Sequence, residues 1–176
     1  MTRPKLSAGQ ANRTANAKTT SNNAANFIGP ITRGMSAFAF TDGTFSLIDI
    51  IRHALDEIGP AQLKLWTWVI AEYDVRELAR LLAAEELTAV VMYLHKDAQD
   101  QAGVRPDTIL KLARSSFGAE NVILTKNHAK QCQLKGKTQR VFVRGSMNLN
   151  FNSRIEQFEL SEGGPEFDPI WQHQPN

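Results

Sequence analysis

Segments with helical periodicity alternate with short apolar runs along most of this chain, and this alternation constrains the fold more than any other feature. In "SLIDIIRHALDEIG", apolar residues recur every three or four positions, which predicts an amphipathic helix that begins at the N-cap Ser46 and ends at Gly59. The run "LTAVVMYL" is apolar throughout and bounded by polar residues, which is typical of a buried strand. The predicted helices span residues 46–59, 74–86 and 106–118, and the predicted strands span residues 61–70, 87–94, 121–127, 140–145 and 155–160.

The order of these elements predicts an α/β domain with helices layered on a mixed β-sheet. Helices separate the early strands, so these strands should run parallel, whereas the last strands follow one another closely enough to pair antiparallel. We place this layered α/β/α domain at residues 27–162. Residues 1–26 are polar, basic and poor in large apolar side chains, which predicts a disordered arm. Residues 163–176 are predicted to form a loop-like tail with Trp171 as an anchor.

The composition limits the classes of protein to which the chain can belong. Its one cysteine, Cys132, rules out a disulfide framework and a cysteine zinc cage, and we expect a bystander thiol in a reducing, cytoplasmic setting. No apolar run reaches the roughly 18 residues of a membrane span, and the start lacks the apolar core of a secretion signal. We therefore expect no membrane partner. The basic residues before Asp42 either bind phosphate backbones or only solubilise the arm.

Residue types suited to phosphate chemistry cluster late in the chain. His128 and Lys130 are two positions apart, so in an extended backbone their side chains project from the same face. Ser146 and Asn148 have the same spacing and follow Gly145, which at a turn would let backbone amides approach a ligand. A lysine, a hydroxyl and a carboxamide can hold a phosphate oxyanion while a histidine attacks phosphorus. Spacing alone, however, favours the other interpretation, which is a solvated surface loop.

The combination H-x-K, then G-S-x-N and then a glutamate resembles the phospholipase D superfamily, over roughly residues 40–160. The resemblance implies that His128 is the nucleophile or the general acid. It also implies that Lys130, Ser146 and Asn148 surround the phosphate, and that neither a metal ion nor another cofactor takes part. The order of helices and strands agrees with the fold of that family.

A carboxylate that orients the histidine is also part of the resemblance. Glu156 is the first choice because it opens the last predicted strand, and Glu159 is the fallback. The sequence departs from the family pattern in two places. Lys135 occupies the position of the family aspartate, and the gap from Lys130 to Gly145 is three residues longer than usual.

Members of the superfamily use two such motifs, in which one histidine attacks and the other protonates the leaving oxygen. This chain carries one copy, which implies a two-fold homodimer with His128 of each subunit at a shared site. The resemblance thus implies a metal-independent phosphodiesterase, and specifically a nuclease. Its histidine would form a covalent phosphohistidine when it attacks a nucleic acid substrate. The alternative, motivated by Lys135, is a catalytically decayed DNA-binding or structural protein. A third option is the same fold with a small phosphodiester or nucleotide as its ligand.

Several other residues near predicted strand ends, among them tryptophans and histidines, could also belong to a site. Trp68 and Glu72 could border a pocket, because ligands in open α/β sheets gather beyond the carboxyl ends of parallel strands. We favour the interpretation that Trp66 and Trp68 pack under helices. His95 is followed directly by lysine and aspartate, but adjacent strand residues point to opposite faces, so this triplet does not reproduce H-x-K. We predict that His95 ends a strand outside the site, and that His53 is structural or solvated.

Overall fold

The computed structural model describes residues 22–96 and 106–174. Within these ranges, seven strands form one sheet in the order β1-β7-β6-β5-β2-β3-β4. The strands are β1 (Ser36–Phe40), β2 (Ala61–Thr67), β3 (Leu87–His95), β4 (Val122–Thr125), β5 (Gln131–Gly136), β6 (Arg140–Gly145) and β7 (Gln157–Glu162). The helices are α1 (residues 22–28), α2 (Leu47–Ile58), α3 (Glu72–Ala83), α4 (Pro106–Phe117) and α5 (Phe167–Gln172).

The sheet is mixed, and the direction of each strand follows from its connection. Helix α3 connects β2 to β3 and α4 connects β3 to β4, and these three strands run parallel. Short turns or loops join β5, β6 and β7, which pair antiparallel, and β1 and β2 pair antiparallel with β7 and β5. A helical crossover returns the chain to the same end of the sheet, whereas a short turn reverses it. The predicted mixed sheet and its division into parallel and antiparallel parts are confirmed.

The main core lies on one face of the sheet, beneath α2, α3 and α4. Leu65 of β2 lies opposite Cys132 of β5, which lies opposite Val143 of β6, and all three are buried. These side chains share one hydrophobic cluster with Ile51 of α2 and Leu78 of α3. Burying such apolar surface is the dominant favourable contribution to folding.

Helix α5 lies on the opposite face of the sheet. The side chain of Gln133 in β5 donates to the carbonyl of Phe167 at 2.7 Å, and Lys64 of β2 donates to the carbonyl of Trp171. Gln133 and Lys64 lie opposite each other in the β2–β5 pair, so they point to the same face. Helices therefore cover both faces, and the predicted layered α/β/α arrangement is confirmed.

Local signals set the ends of α2 as predicted. The Asp49 carboxylate accepts hydrogen bonds from the backbone amide and the hydroxyl of Ser46, each at 2.9 Å, which satisfies the start of the helix. Gly59 ends it with φ +75°, a conformation that glycine adopts without strain. His53 has a structural role, because its Nε2 atom is hydrogen-bonded to the carbonyl of Gly29 at 2.8 Å.

Four elements differ from the prediction, two of them strands. β1 and β5 are absent from the predicted set. β5 has the sequence "QCQLKG", in which polar residues alternate with Cys132 and Leu134. Residues 22–26, predicted as part of the arm, lie in α1, and Ala24 is completely buried. The tail, predicted as loop-like, contains α5, in which Phe167 is completely buried and Trp171 stacks on it at 5.6 Å.

Residues 1–21 and most of the "LHKDAQD" segment lie outside the described residues. In the described part of the chain, no helix has the length and apolar character that crossing a membrane requires.

Candidate active site

The predicted site residues meet at one end of the sheet. Strands β2, β3, β4 and β6 end there, and β5 and β7 begin there, as their parallel and antiparallel pairing requires. The residues at this end are Trp68 after β2, His95 in the last position of β3, His128 and Lys130 before β5, Ser146 and Asn148 after β6, and Glu156 before β7. All five predicted site residues are among them.

The His128 side chain is exposed and its imidazole ring packs against Trp68. The two ring centroids are 4.4 Å apart, and the planes are inclined by 54°. The same indole contacts the ring of His95 at 5.9 Å. The Trp68 Nε1 atom is buried and has no hydrogen-bond partner among the residues that the structure describes, which is rare for a buried donor.

The position of Trp68 corrects the favoured interpretation from the sequence. Trp66 is buried and stacks on Tyr93 of the neighbouring strand β3 at 4.7 Å, so it packs against another strand, and packing under a helix stays a prediction. Trp68 instead borders the candidate site, which agrees with the tendency of ligands to bind beyond the carboxyl ends of parallel strands. His95 ends its strand as predicted, but it reaches the same indole as His128. Glu72 forms an ion pair with Arg76 at 2.7 Å on α3.

Lys130 is held close to His128. Its Nζ atom donates to the His128 carbonyl at 3.1 Å and lies 5.5 Å from the centroid of the Trp68 ring. Desolvation by burial lowers the pKa of Lys130, and the negative charge of Glu156 opposes that shift. A partly desolvated ammonium attracts an anion more strongly than an ammonium in bulk water does, because the local dielectric constant is lower.

Glu156 belongs to the site, but its carboxylate is bonded to groups other than His128. One carboxylate oxygen accepts a short hydrogen bond from the Ser146 hydroxyl, and the other accepts from the side chain of Asn152 at 2.7 Å. The backbone of Glu156 accepts from the amide of Thr41 at 2.8 Å, which fixes the start of β7. Neither Thr41 nor Asn152 was among the residues selected from the sequence.

The fallback carboxylate is also engaged elsewhere. Glu159 forms two hydrogen bonds with the guanidinium of Arg144, at 3.0 and 2.8 Å, across the β6–β7 pair. Within one chain, therefore, neither Glu156 nor Glu159 hydrogen-bonds the His128 ring in the structure. That a carboxylate orients the His128 ring stays a prediction, and no contact of Glu156 or Glu159 within a single subunit provides it.

Asn148 has its amide group oriented by backbone donors. Its Oδ1 atom accepts from the amides of Trp68 and Val69 at 3.2 and 3.3 Å, which assigns the oxygen to that side of the group. The Nδ2 atom is then the part of the side chain that can donate to a ligand. A nearby bond from the Leu149 amide to the Thr67 hydroxyl at 3.0 Å anchors the same loop to the end of β2.

Gly145 has a different role from the turn glycine predicted from the sequence. It is the last residue of β6, and a Cβ atom there would collide with the carbonyl of Gln157 and the backbone of Phe158. Its amide donates to the carbonyl of Lys130 at 3.0 Å. A glycine here therefore lets β6 and β7 approach closely directly before Ser146, and the requirement is steric.

We expect Gly145→Ala to lower the free energy of unfolding by about 1–3 kcal/mol, since the neighbouring backbone would have to move. The matched control is Gly136→Ala, at the end of β5, where the nearest atom to an added Cβ would be 3.2 Å away. Urea denaturation of both variants and the wild type measures the difference. Equal stability of the two variants would contradict the close approach at Gly145.

Lys135, which stands where the pattern that the sequence resembles has an aspartate, lies far from these residues. It lies near the opposite end of β5 from Lys130, and five strand residues span about 17 Å. Lys135 is paired with Gln62 and Arg140 across the sheet, and its Nζ atom is 5.5 Å from the Trp171 ring. The charge reversal therefore changes the surface near α5 and does not touch the candidate site.

Two further features bear on the chemistry. Burial raises the pKa of the Cys132 thiol to about 12, so it is unreactive at neutral pH, in agreement with the expected bystander role. The described residues contain no group of three or more His, Cys, Asp or Glu side chains arranged to hold a metal ion.

The mixed seven-stranded sheet with helices on both faces has a phospholipase D-like α/β fold, as a comparison with solved structures shows. The chain is similar to Nuc from Salmonella typhimurium, a phospholipase D family member, with a TM-score of 0.54 and 11% sequence identity. The similarity covers 79% of this chain and 90% of the Nuc chain, and at this identity it concerns the fold. No family model matches the sequence, and no curated protein matches it at a significant level.

Proposed function

We propose that the protein is a metal-independent phosphodiesterase that acts on nucleic acid, with His128 as the nucleophile. The observation that carries this proposal is the meeting of His128, Lys130, Ser146 and Asn148 at one end of the sheet. The ammonium of Lys130 and the Nδ2 donor of Asn148 suit the non-bridging oxygens of a phosphate. The exposed imidazole of His128 is accessible to a substrate.

The reaction would proceed in two displacement steps. A ring nitrogen of His128 attacks phosphorus with its lone pair, an N–P bond forms, and the P–O bond to the leaving alcohol breaks. A second, protonated imidazole donates its proton to the leaving oxygen. Water then attacks the phosphohistidine, the second imidazole takes a proton from that water, and the N–P bond breaks. No redox partner is needed, and the enzyme returns to its starting state.

The second imidazole would come from His128 of the partner subunit in a two-fold homodimer. The His128 side chain is exposed at the end of the sheet, so a second copy can approach it. A homodimer would also bring a second set of carboxylates to the site. This would offer His128 an orienting group that neither Glu156 nor Glu159 supplies within one chain.

The direct test is hydrolysis of bis(p-nitrophenyl) phosphate and of labelled oligonucleotides by the wild-type protein in the presence of a chelator. We expect turnover that resists the chelator, and a phosphohistidine that can be trapped by quenching in alkali. Activity that disappears with chelator and returns with magnesium would overturn the metal-independent proposal. Sedimentation velocity at the assay concentration tests the predicted dimer.

The pH dependence of this activity should report on Lys130. Burial lowers its pKa below the ordinary value of 10.5, so the ammonium loses its proton at a lower pH than an exposed lysine would. We expect kcat/KM to fall over that alkaline range, because phosphate binding requires the charged form. In Lys130→Arg the fall should move to higher pH, since a guanidinium stays charged. Identical alkaline limbs in the pH profiles of the two proteins would contradict this role.

A non-catalytic DNA-binding or structural protein is the second candidate. It is favoured by the hydrogen bonds of Glu156 to Ser146 and Asn152, which leave His128 without that orienting carboxylate within one chain. Lys135 adds little weight to it, given its distance from the site. The second candidate is correct if the wild-type protein and His128→Ala both fail to hydrolyse phosphodiesters and bind DNA equally well.

A further inference from the structure

A shallow groove of about 360 Å³ adjoins the candidate site on the face of the sheet that carries α5. Four of its residues form a row across the sheet, in which Gln131 of β5 lies opposite Arg144 of β6, Arg144 opposite Glu159 of β7, and Glu159 opposite Phe38 of β1. Three steps between neighbouring strands span about 14 Å. Lys130 lines the β5 side, so the groove is continuous with the candidate site. We call it the aromatic groove.

Strand β1, at the edge of the sheet, presents two phenylalanines to solvent. Phe38 is 62% exposed and Phe40 is 50% exposed, and their rings meet edge to face with centroids 5.6 Å apart. They lie two positions apart on one strand, so both project from the face of the groove. Two exposed rings in contact with each other beside a groove that contains charged side chains offer an apolar surface that a ligand can cover.

Cations accompany these rings. Lys130 lies on one side of the groove. The Arg144 guanidinium stands 5.6 Å from the ring of Phe142 and donates two hydrogen bonds to the Glu159 carboxylate. A phosphate could replace that carboxylate, because guanidinium binds both groups through the same pair of donors. Aromatic faces combined with cations that can follow a phosphate backbone are the features that bind unpaired nucleotides.

We propose that the aromatic groove binds single-stranded nucleic acid and leads it to His128, with bases stacked on Phe38 and Phe40 and phosphates at Arg144 and Lys130. This deepens the proposed function by naming its substrate class. A duplex covers the faces of its bases, whereas a single strand leaves them open to stack on a ring. A second copy of the chain fits less well, because the groove is lined by Lys130 and Glu159, and lysine and glutamate are depleted from protein interfaces.

Binding is measured in a His128→Ala background, so that cleavage does not interfere. Fluorescence anisotropy compares labelled oligothymidylate, oligouridylate and a DNA duplex, which distinguishes DNA from RNA as the preferred strand. We expect Phe38→Ala with Phe40→Ala to weaken single-strand binding by about tenfold or more, and duplex binding far less. The paired tyrosine variants should retain affinity, since they keep a ring, whereas leucines should not. Ile155→Ala is the control, because that residue is 68% exposed and does not line the groove.

Three results would overturn the inference: unchanged single-strand affinity in the double alanine variant, leucines that bind as well as phenylalanines, or loss of the oligomer in sedimentation while single-strand affinity persists. The last result would identify β1 as a contact between two copies. The proposed enzyme is judged separately, through wild-type hydrolysis of bis(p-nitrophenyl) phosphate, which carries no bases to stack. Ring-dependent strand binding without that hydrolysis would support the groove and refute the enzyme.

Discussion

His128→Ala is expected to reduce hydrolysis of bis(p-nitrophenyl) phosphate by about a thousandfold or more, since losing a nucleophile removes the covalent route. Lys130, Ser146 and Asn148 would still surround the phosphate, so binding should weaken much less than turnover. The imidazole is exposed at the end of the sheet and packs against one side of Trp68, so the fold should survive its removal. The measurements are kcat and KM of the purified variant, with a urea denaturation curve to show that it is folded.

His173→Ala is the matched control, because it deletes the same side chain from an exposed position directly after α5. It should keep wild-type turnover. A His128→Ala protein that is folded and retains more than about a tenth of wild-type activity would refute the assignment of the nucleophile.

The same variant also tests whether two subunits share one site. If each site needs His128 from both chains, mixed dimers are inactive, and activity after mixing and re-equilibration should follow the square of the wild-type fraction. If the fall is linear instead, each chain works alone. The second imidazole would then have to come from the same chain, and His95, which contacts the same indole as His128, would be the first residue to substitute.

The regular elements of this fold were predictable wherever one period dominates the sequence. Helix α2 and strands β3 and β6 carry unbroken helical or apolar patterns, and they appear within about a residue of the predicted limits. β5 has no continuous apolar run, because the polar residue Gln133 lies between Cys132 and Leu134, although its side chain is buried. That glutamine is tolerated because it donates to the carbonyl of Phe167 in α5, a partner 34 residues away that local periodicity does not reveal.

The site was predictable to the extent that it depends on spacing. From the short separations of His128 from Lys130 and of Ser146 from Asn148 we expected these side chains to lie together, and all four residues lie at one end of the sheet. The bonding of Glu156 depends on the β6–β7 pair, which brings Ser146 against the start of β7, and spacing along the chain carries no information about that geometry. Whether Trp68 borders the candidate site likewise depends on the residue at which β2 ends, and spacing along the chain does not give that residue.

Trp68→Ala is expected to lower kcat by about a hundredfold with a smaller change in KM, because displacing a reacting group by about an ångström costs a factor of that size. The indole packs against the His128 ring at 4.4 Å and lies beneath the Lys130 ammonium at 5.5 Å. Among the hydrogen bonds of Glu156 and Glu159, none restrains that imidazole within one chain, so we propose that contact with the indole sets the orientation of the ring. On this proposal Trp68 is a positioning residue.

A general loss of stability would give a different set of results. Trp68→Phe keeps an aromatic surface and should restore most of the activity, and the His128 ring protons should lose their ring-current shift in the NMR spectrum of Trp68→Ala. Trp171→Ala is the matched control, since that residue lies on α5 against Phe167 and should leave both kcat and the His128 resonances unchanged. Wild-type kcat in Trp68→Ala, or His128 resonances that do not move, would mean that another group holds the imidazole. Because Glu156 and Glu159 are bonded elsewhere within one chain, a carboxylate of the second subunit would then be the first group to test.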